Sequence, residues 1–218
     1  MAYAHTAQHH SLTTRLTHWG TTVAFIMLFG SGAALFNHSP KFKISGHTYV
    51  LPHLPAWLAI PFEPKIMHYV FAALFVICGI TYIVWGIRSG HFSRLVLRGD
   101  DVRKALPMQL YYLGLKKTPP SYDGYNPLQK IAYTTVLFVI SPLIAITGTA
   151  MLPIHALRPL GAPFIGGVKL WHFGLVWALC AFAIVHIAMV ASTGLVTNIR
   201  AMTAPNSSRS NARDLARG

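Results

Sequence analysis

The sequence predicts an all-α integral membrane protein, a bundle of four transmembrane helices. Of its 218 residues, 53% are hydrophobic and only 11% are charged, a composition typical of multi-pass membrane proteins rather than of soluble domains. Four apolar stretches are each long enough to cross a bilayer, which takes about 20 helical residues. No Asp or Glu occurs inside these stretches.

The four predicted spans are about residues 16–36, 66–87, 131–152 and 170–197. The first follows Arg15 and is too long for the apolar region of a cleavable signal peptide, so an uncleaved helix is predicted. The second has His68 at its beginning and is followed by Arg88. The third contains Pro142 and Gly148, which predict a kink. The fourth holds two ionisable groups, His172 and His186.

The connections and tails are predicted to differ in structure. The proline-rich segment 37–65 is too polar to span and is predicted to be a structured loop. Segment 88–130 is polar, and its short apolar stretch Met108–Leu115 is expected along the membrane surface. The predicted organisation is a flexible tail at 1–14, a membrane domain at 15–200 and a disordered basic tail at 201–218.

The basic residues indicate the topology. Eighteen Lys and Arg stand against five Asp and Glu, and they lie between the apolar runs. Thirteen are on the two tails and the central connection, and five are on the other two loops. The positive-inside rule therefore predicts cytoplasmic termini in the cell inner membrane, with the basic residues near anionic lipid. Nucleic-acid binding is not expected, because no basic stripe with interleaved aromatic residues occurs outside the spans.

Four histidines inside the spans fall at two depths. His172 and His186 are fourteen residues apart, which on a helix places them within about 40° of one face and about 21 Å apart along the axis. With the predicted topology, His18 shares the inner half of the membrane with His186. His68 shares the outer half with His172. An ionisable side chain in a membrane is a functional-site hypothesis by default, although a single one also suits a hydrogen bond to a neighbouring helix.

Paired histidines at equal depth are what bis-imidazole ligation of a haem requires, namely two neutral imidazoles from facing helices in a dry core. No CxxCH motif occurs, so two non-covalent haems b are predicted. Gly32 and Gly79 are predicted near the histidine face of their helices, each at the depth of the other pair. There a missing side chain would leave room for a haem edge, and ordinary packing of small residues is the alternative.

Particular segments resemble the dihaem cytochrome b subunits of respiratory enzymes. They are RLTHW at the start of span one, the span that begins with His68, YNPLQK before span three, and WHF with a second histidine fourteen residues later in span four. This family includes the formate dehydrogenase gamma subunit, the cytochrome b subunits of thiosulfate reductase and Ni/Fe-hydrogenase, and bacterial cytochrome b561 proteins. The resemblance covers residues 11–202 and implies the same two histidine pairs that depth predicts.

The resemblance also implies a quinone site near the inner haem, at Asn126 and Gln129. Asn126 directly precedes Pro127, a position that equally suits a helix N-cap. The implied function is transmembrane electron transfer between the quinone pool and a periplasmic redox enzyme subunit. Loop 37–65 resembles those of members that work with periplasmic molybdenum or other redox enzymes, so a molybdenum or iron–sulfur partner is implied.

Two other functions remain open at this point. One is a stand-alone superoxide:quinone oxidoreductase of the cytochrome b561 type, in which basic residues on the outer loops would steer the anion. The other is a divalent-metal transporter that uses the same histidines. Histidine pairs without a carboxylate suit haem better than a metal transport path.

Overall fold

Helices dominate the computed structural model, which describes residues 10–44, 46–60, 62–122, 125–164 and 167–203. They are α1 (Leu12–His38), α2 (Pro64–Arg88), α3 (Phe92–Leu95), α4 (Gly99–Tyr112), α5 (Pro127–Thr135), α6 (Ser141–Ala150), α7 (Val168–Ser192) and α8 (Leu195–Thr203). A π-helical turn, Val136–Ile140, joins α5 to α6, so that Pro127–Ala150 forms one long helix. This helix, α1, α2 and α7 are long and apolar enough to cross a membrane, and the predicted four-span bundle is confirmed.

Helix α1 begins at Leu12, four residues before the predicted span. The Ser11 side chain accepts a hydrogen bond from the Thr14 N–H at 3.1 Å and thereby caps the helix. The predicted flexible tail 1–14 is therefore too long by three residues, 12–14. Residues 1–9 of that tail lie outside the described residues.

Helix α7 ends at Ser192, not at residue 197 as predicted. Gly194 has a φ of +113°, a backbone conformation that glycine adopts without strain, and the chain turns there into α8. The Asn198 side chain stabilises the turn by donating to the Val190 carbonyl and the Thr193 hydroxyl. The predicted disordered tail 201–218 is helical through Thr203, and residues 204–218 lie outside the described part of the chain.

The third membrane-crossing helix is irregular next to Pro142. The Ser141 N–H donates to the carbonyl of Val136, which makes the turn between them a π turn. A proline ring clashes with the carbonyl four residues earlier, here that of Phe138, and the wider turn relieves this clash. A π turn thus lies one turn before Pro142, whereas the predicted kink stays a prediction.

The loop between α1 and α2 is structured, as predicted. It contains an antiparallel hairpin of β1 (Lys41–Ile44) and β2 (His47–Val50). The side chain of Asn37 holds the following segment through two hydrogen bonds with the backbone of Leu54. Lys169 of α7 donates to the Lys41 carbonyl at 2.9 Å. We call this end of the bundle the hairpin end, and the opposite end, where α1 begins and α7 ends, the tail end.

The long helices associate in two close pairs. Helix α1 packs along α2, and α6 packs along α7. Aromatic contacts join α1 to α7, with Phe36 stacked on Phe173 at 4.8 Å between ring centroids and Phe29 edge-on to Trp177 at 6.0 Å. These contacts fix the two helices that carry the histidines of the tail end.

Candidate functional site

The four span histidines meet as two pairs. At the tail end, His18 of α1 faces His186 of α7, with ring centroids 6.2 Å apart and planes inclined by 53°. Toward the hairpin end, His68 of α2 faces His172 of α7 at 6.4 Å and 65°. The structure thus brings together the two pairs that depth predicts. Their role as haem ligands stays a prediction.

The ring separations fit one metal ion between the two imidazoles of each pair. Two imidazoles that bind one ion from opposite sides should have ring centroids roughly 6 Å apart. Each side contributes a metal–nitrogen bond of about 2 Å and the distance from that nitrogen to the ring centre. The two pairs have 6.2 and 6.4 Å. No hydrogen bond links the two rings of either pair in the part of the chain that the structure describes.

Buried hydroxyl groups hold both rings of the His68–His172 pair. Ser31 Oγ of α1 lies 3.1 Å from His68 Nδ1, and Thr147 Oγ1 of α6 lies 2.9 Å from His172 Nδ1. Both hydroxyl residues are fully buried. Each ring therefore has one nitrogen engaged by a neighbouring helix, while Nε2 remains for another ligand.

The direction of these hydrogen bonds follows from the other contacts of the hydroxyls. Ser31 Oγ donates to the Met27 carbonyl at 2.7 Å, and Thr147 Oγ1 donates to the Leu143 carbonyl at 2.7 Å. A hydroxyl has one proton and two lone pairs, so each of these accepts from the histidine. Nδ1 then carries the ring proton, and Nε2 presents the lone pair that metal ligation needs.

The His18–His186 pair has a different environment. Nδ1 of His18 is buried and has no hydrogen-bond partner among the described residues, which is rare in folded proteins, where such atoms bond protein, water or an ion. His186 stacks on Phe182 at 5.6 Å, and the edge of Trp19 meets His18 at 5.3 Å. The Trp19 indole donates to the Met202 carbonyl and so ties α8 to the helix that carries His18.

Glycines lie against the rings. A Cβ placed on Gly32 would lie 3.4 Å from His68 Cε1, and one on Gly148 would lie 3.3 Å from His172 Cε1. Gly32 is thus at the depth of the His68–His172 pair, as predicted, and it contacts an imidazole. A Cβ on Gly79 would meet no atom within 4 Å. A role of Gly32 or Gly79 in binding haem stays a prediction.

Sequence reasoning missed the hydroxyl residues and Gly148. A signal exists, because a hydroxyl residue followed by glycine occurs in span one as Ser31-Gly32 and in span three as Thr147-Gly148. In each dipeptide the hydroxyl bonds Nδ1 of a histidine on the next long helix, and the glycine faces Cε1 of the same ring. The repeated dipeptide, matched to a histidine in the following span, is the pattern that identifies them.

Asn126 and Gln129 lie at the tail end and cap α5. Asn126 Oδ1 accepts from the Leu128 N–H at 2.9 Å, and Gln129 Oε1 accepts from the Asn126 N–H at 3.2 Å. This reciprocal arrangement is a capping box. Asn126 is buried, and its amide also donates to the Tyr112 hydroxyl at 2.9 Å. The two residues therefore have a structural role, and their role toward quinone stays a prediction.

A buried ion pair joins α4 to α5 beside these residues. Lys130 Nζ lies 3.0 Å from Asp101 Oδ1, and both side chains are only 10% exposed. Burial has the largest single effect on Asp101 and favours its neutral form. Hydrogen bonds from Lys130 and the Arg98 N–H, with the charge of Lys130, outweigh it and hold the pKa of Asp101 below its ordinary value.

Comparison with known proteins places these features in context. The family model of prokaryotic cytochrome b561 matches residues 9–205. The chain is 30% identical to YedZ1 of Azospira oryzae, named as a protein-methionine-sulfoxide reductase subunit, over 84% of this chain and 89% of that protein. It is 27% identical to a protein of Cupriavidus necator named as a Ni/Fe-hydrogenase B-type cytochrome subunit, over 79% and 74%. It is 26% identical to the cytochrome YdhU of Escherichia coli, over 82% of this chain and 65% of that protein.

Proposed function

Because this chain belongs to the prokaryotic cytochrome b561 family and is an integral membrane b-type cytochrome of electron transfer, we propose that it conducts electrons between a periplasmic redox enzyme and quinone. Two haems b, each held by one histidine pair, would supply the one-electron chemistry. The observation that carries the proposal is the pair of ring separations, 6.2 and 6.4 Å.

The chain's own residues would do three things for the haems. The four histidines would hold them, His18 with His186 and His68 with His172. Helix α7 would keep them apart, since its two histidines are separated by about 21 Å along the helix axis. The apolar side chains of the four spans, which contain no carboxylate, would provide the dry surroundings that tune haem potentials.

The proposed orientation puts the tail end in the cytoplasm and the hairpin end in the periplasm. The distribution of thirteen against five basic residues supports it. The hairpin end presents apolar side chains that suit contact with another protein, such as Trp57, 82% exposed, and Phe62, 69% exposed. Relatives named as subunits of a reductase and of hydrogenases support a redox enzyme as the partner. A molybdenum or iron–sulfur enzyme is the partner class that we propose.

Quinone would react at the tail end, near Asn126 and Gln129. The amide of Asn126 lies among the Tyr112 hydroxyl, the Gln129 side chain and the first turn of α5. Amide and hydroxyl groups of this kind can hydrogen-bond a quinone carbonyl. The site would lie on the same side of the membrane as the His18–His186 pair. Electrons would therefore travel a shorter distance from quinone to this pair than to the His68–His172 pair.

The haem content tests the proposed function directly. Protein purified from membranes in mild detergent should contain two haems b per chain, with a reduced-minus-oxidised spectrum of low-spin haem, because two pairs of imidazoles face each other with ring centroids 6.2 and 6.4 Å apart. Haem extracted into acidified organic solvent should be complete, since no CxxCH motif attaches it. A haem content of one or less per chain, in protein that retains its helical circular dichroism, would contradict the proposal.

The quinone site is tested by variants that separate capping from quinone contact. Asn126→Ala and Gln129→Ala should each slow quinol-driven haem reduction, measured by stopped flow, while haem content stays at the wild-type value. Asn126→Ser is the matched control, because serine keeps an N-cap oxygen but lacks the amide. If Asn126→Ser reduces as fast as wild type while Asn126→Ala is slow, the residue acts only as a helix cap. Unchanged rates in both alanine variants would remove this site.

A further inference from the structure

The two hydroxyl–histidine contacts are equivalent, although they come from different helices. Ser31 lies on α1 and reaches α2, and Thr147 lies on α6 and reaches α7. In both, the hydroxyl is fully buried, donates to the carbonyl four residues earlier and contacts Nδ1. The His18–His186 pair has no such contact among the described residues. The two candidate haem sites therefore differ in the support of their ligands.

We infer that Ser31 and Thr147 are positioning residues that fix the His68 and His172 rings and set the properties of that haem site alone. This inference rests on the proposed function, because it concerns the ligands of the proposed haems. Neither residue would touch the haem iron. Each would act through the imidazole it holds. Together with the backbone of Leu28 at His68 and of Ile144 at His172, it would favour the tautomer whose Nε2 carries the lone pair.

Physical reasons give the direction of the effect. An acceptor at Nδ1–H makes the imidazole a stronger electron donor, and ligand partners of this kind contribute about 10-fold to 100-fold in metal affinity. A stronger donor favours ferric over ferrous iron. Loss of the hydroxyl should thus weaken haem binding at this pair and raise the midpoint potential of that haem. The potential rises by about 59 mV for each tenfold decrease in the ratio of ferric to ferrous haem affinity.

A purely structural role is the alternative, and the contacts allow the two to be separated. The back-bonds to Met27 and Leu143 satisfy the hydroxyl protons without any histidine, so packing alone would not require the Nδ1 contact. Thr147 offers a matched set of substitutions. Thr147→Val keeps the shape and removes the hydroxyl, whereas Thr147→Ser keeps the hydroxyl and removes a methyl group.

The experiment is a redox titration of the full-length haem-loaded protein, followed by optical and electron paramagnetic resonance spectra. Thr147→Val and Ser31→Ala should each raise the midpoint potential of one haem, the one that His68→Ala and His172→Ala remove, and should lower its retention during dilution at least tenfold. Thr147→Ser should behave as wild type. Thr17→Val is the control, because Thr17 is also buried and back-bonded, to the Thr13 carbonyl, and among the described residues its hydroxyl bonds no histidine ring.

Three outcomes would overturn the inference. They are an unchanged potential in both Thr147→Val and Ser31→Ala, an equal shift of both haems, or a Thr147→Ser variant that shifts as much as Thr147→Val. The failure of the proposed function itself looks different, since the wild-type protein would then lack two bis-histidine haems before any substitution is made.

Discussion

Replacing His18 or His186 by alanine should remove one haem, and replacing His68 or His172 should remove the other. The four single variants therefore form two spectroscopic classes. Each variant would lose one of the two histidines that would hold a haem, and the remaining imidazole alone would not keep that haem in its bis-histidine state. The other haem should keep a recognisable midpoint potential, because its two ligands are untouched and the pairs lie about 21 Å apart along α7.

The measurement is haem content by extraction combined with a redox titration of each purified variant. Haem should fall from two to one per chain or convert to a high-spin form. His53→Ala is the matched control, since His53 is an exposed loop histidine and its loss should leave both haems. Imidazole added to the His18→Gly and His68→Gly variants should restore the low-spin spectrum, which separates ligand loss from misfolding.

One result would contradict this pairing. If His18→Ala and His68→Ala lost the same haem, the facing rings seen across α1, α2 and α7 would not correspond to the ligand sets. If His172→Ala and His186→Ala lost both haems without recovery in imidazole, α7 would depend on its histidines for packing. In that case the pairing would be judged only from His18→Ala on α1 and His68→Ala on α2.

The sequence predicted the spans and the histidine pairs because both follow from one-dimensional properties. A bilayer sets the length of an apolar run, and depth along a helix is a count of residues from its end. Helix ends were less predictable. The apolar run continues beyond Gly194 as Leu195 and Val196, so hydropathy extended span four past the glycine at which the backbone turns.

Contacts between helices could not be predicted in the same way. The Ser31–His68 bond depends on the rotation of α1 against α2, and the Thr147–His172 bond depends on the rotation of α6 against α7. No single helix contains that information. The Asp101–Lys130 pair is 29 residues apart in sequence and crosses a polar connection, where neither hydropathy nor spacing indicates which charges meet.

Lys130→Met should destabilise the protein by about 3–5 kcal/mol, because it leaves the buried Asp101 carboxylate without its cation. That amounts to a fall of roughly 10 °C in the thermal unfolding midpoint for a chain of this size. Far-UV circular dichroism of the purified protein in detergent would measure it. Lys104→Met is the matched control, since Lys104 pairs with Asp100, whose side chain is 71% exposed, and exposed pairs contribute less than about 1 kcal/mol.

The double variant Asp101→Asn/Lys130→Met should recover most of the loss. It removes both charges, and asparagine keeps an acceptor for the Arg98 N–H that Asp101 now bonds at 3.0 Å. An unpaired buried charge, rather than a lost packing contact, is the cause of the penalty. If the double variant were as unstable as Lys130→Met, packing of the lysine side chain would be the cause instead.

The pH dependence of the Lys130→Met variant gives an independent check. In the wild type, the pKa of Asp101 is below its ordinary value of 3.8 because Lys130 and the Arg98 N–H outweigh the effect of burial. A depressed folded-state pKa stabilises the protein above pH 3.8, and this contribution is lost as the pH falls below that value toward the folded pKa. Without Lys130, the effect of burial raises the pKa of Asp101 relative to the wild type. The stability difference between variant and wild type should therefore shrink as the pH falls below 3.8, where the wild type loses this contribution. A difference that stays constant over this range would show that the Asp101 charge is not its source.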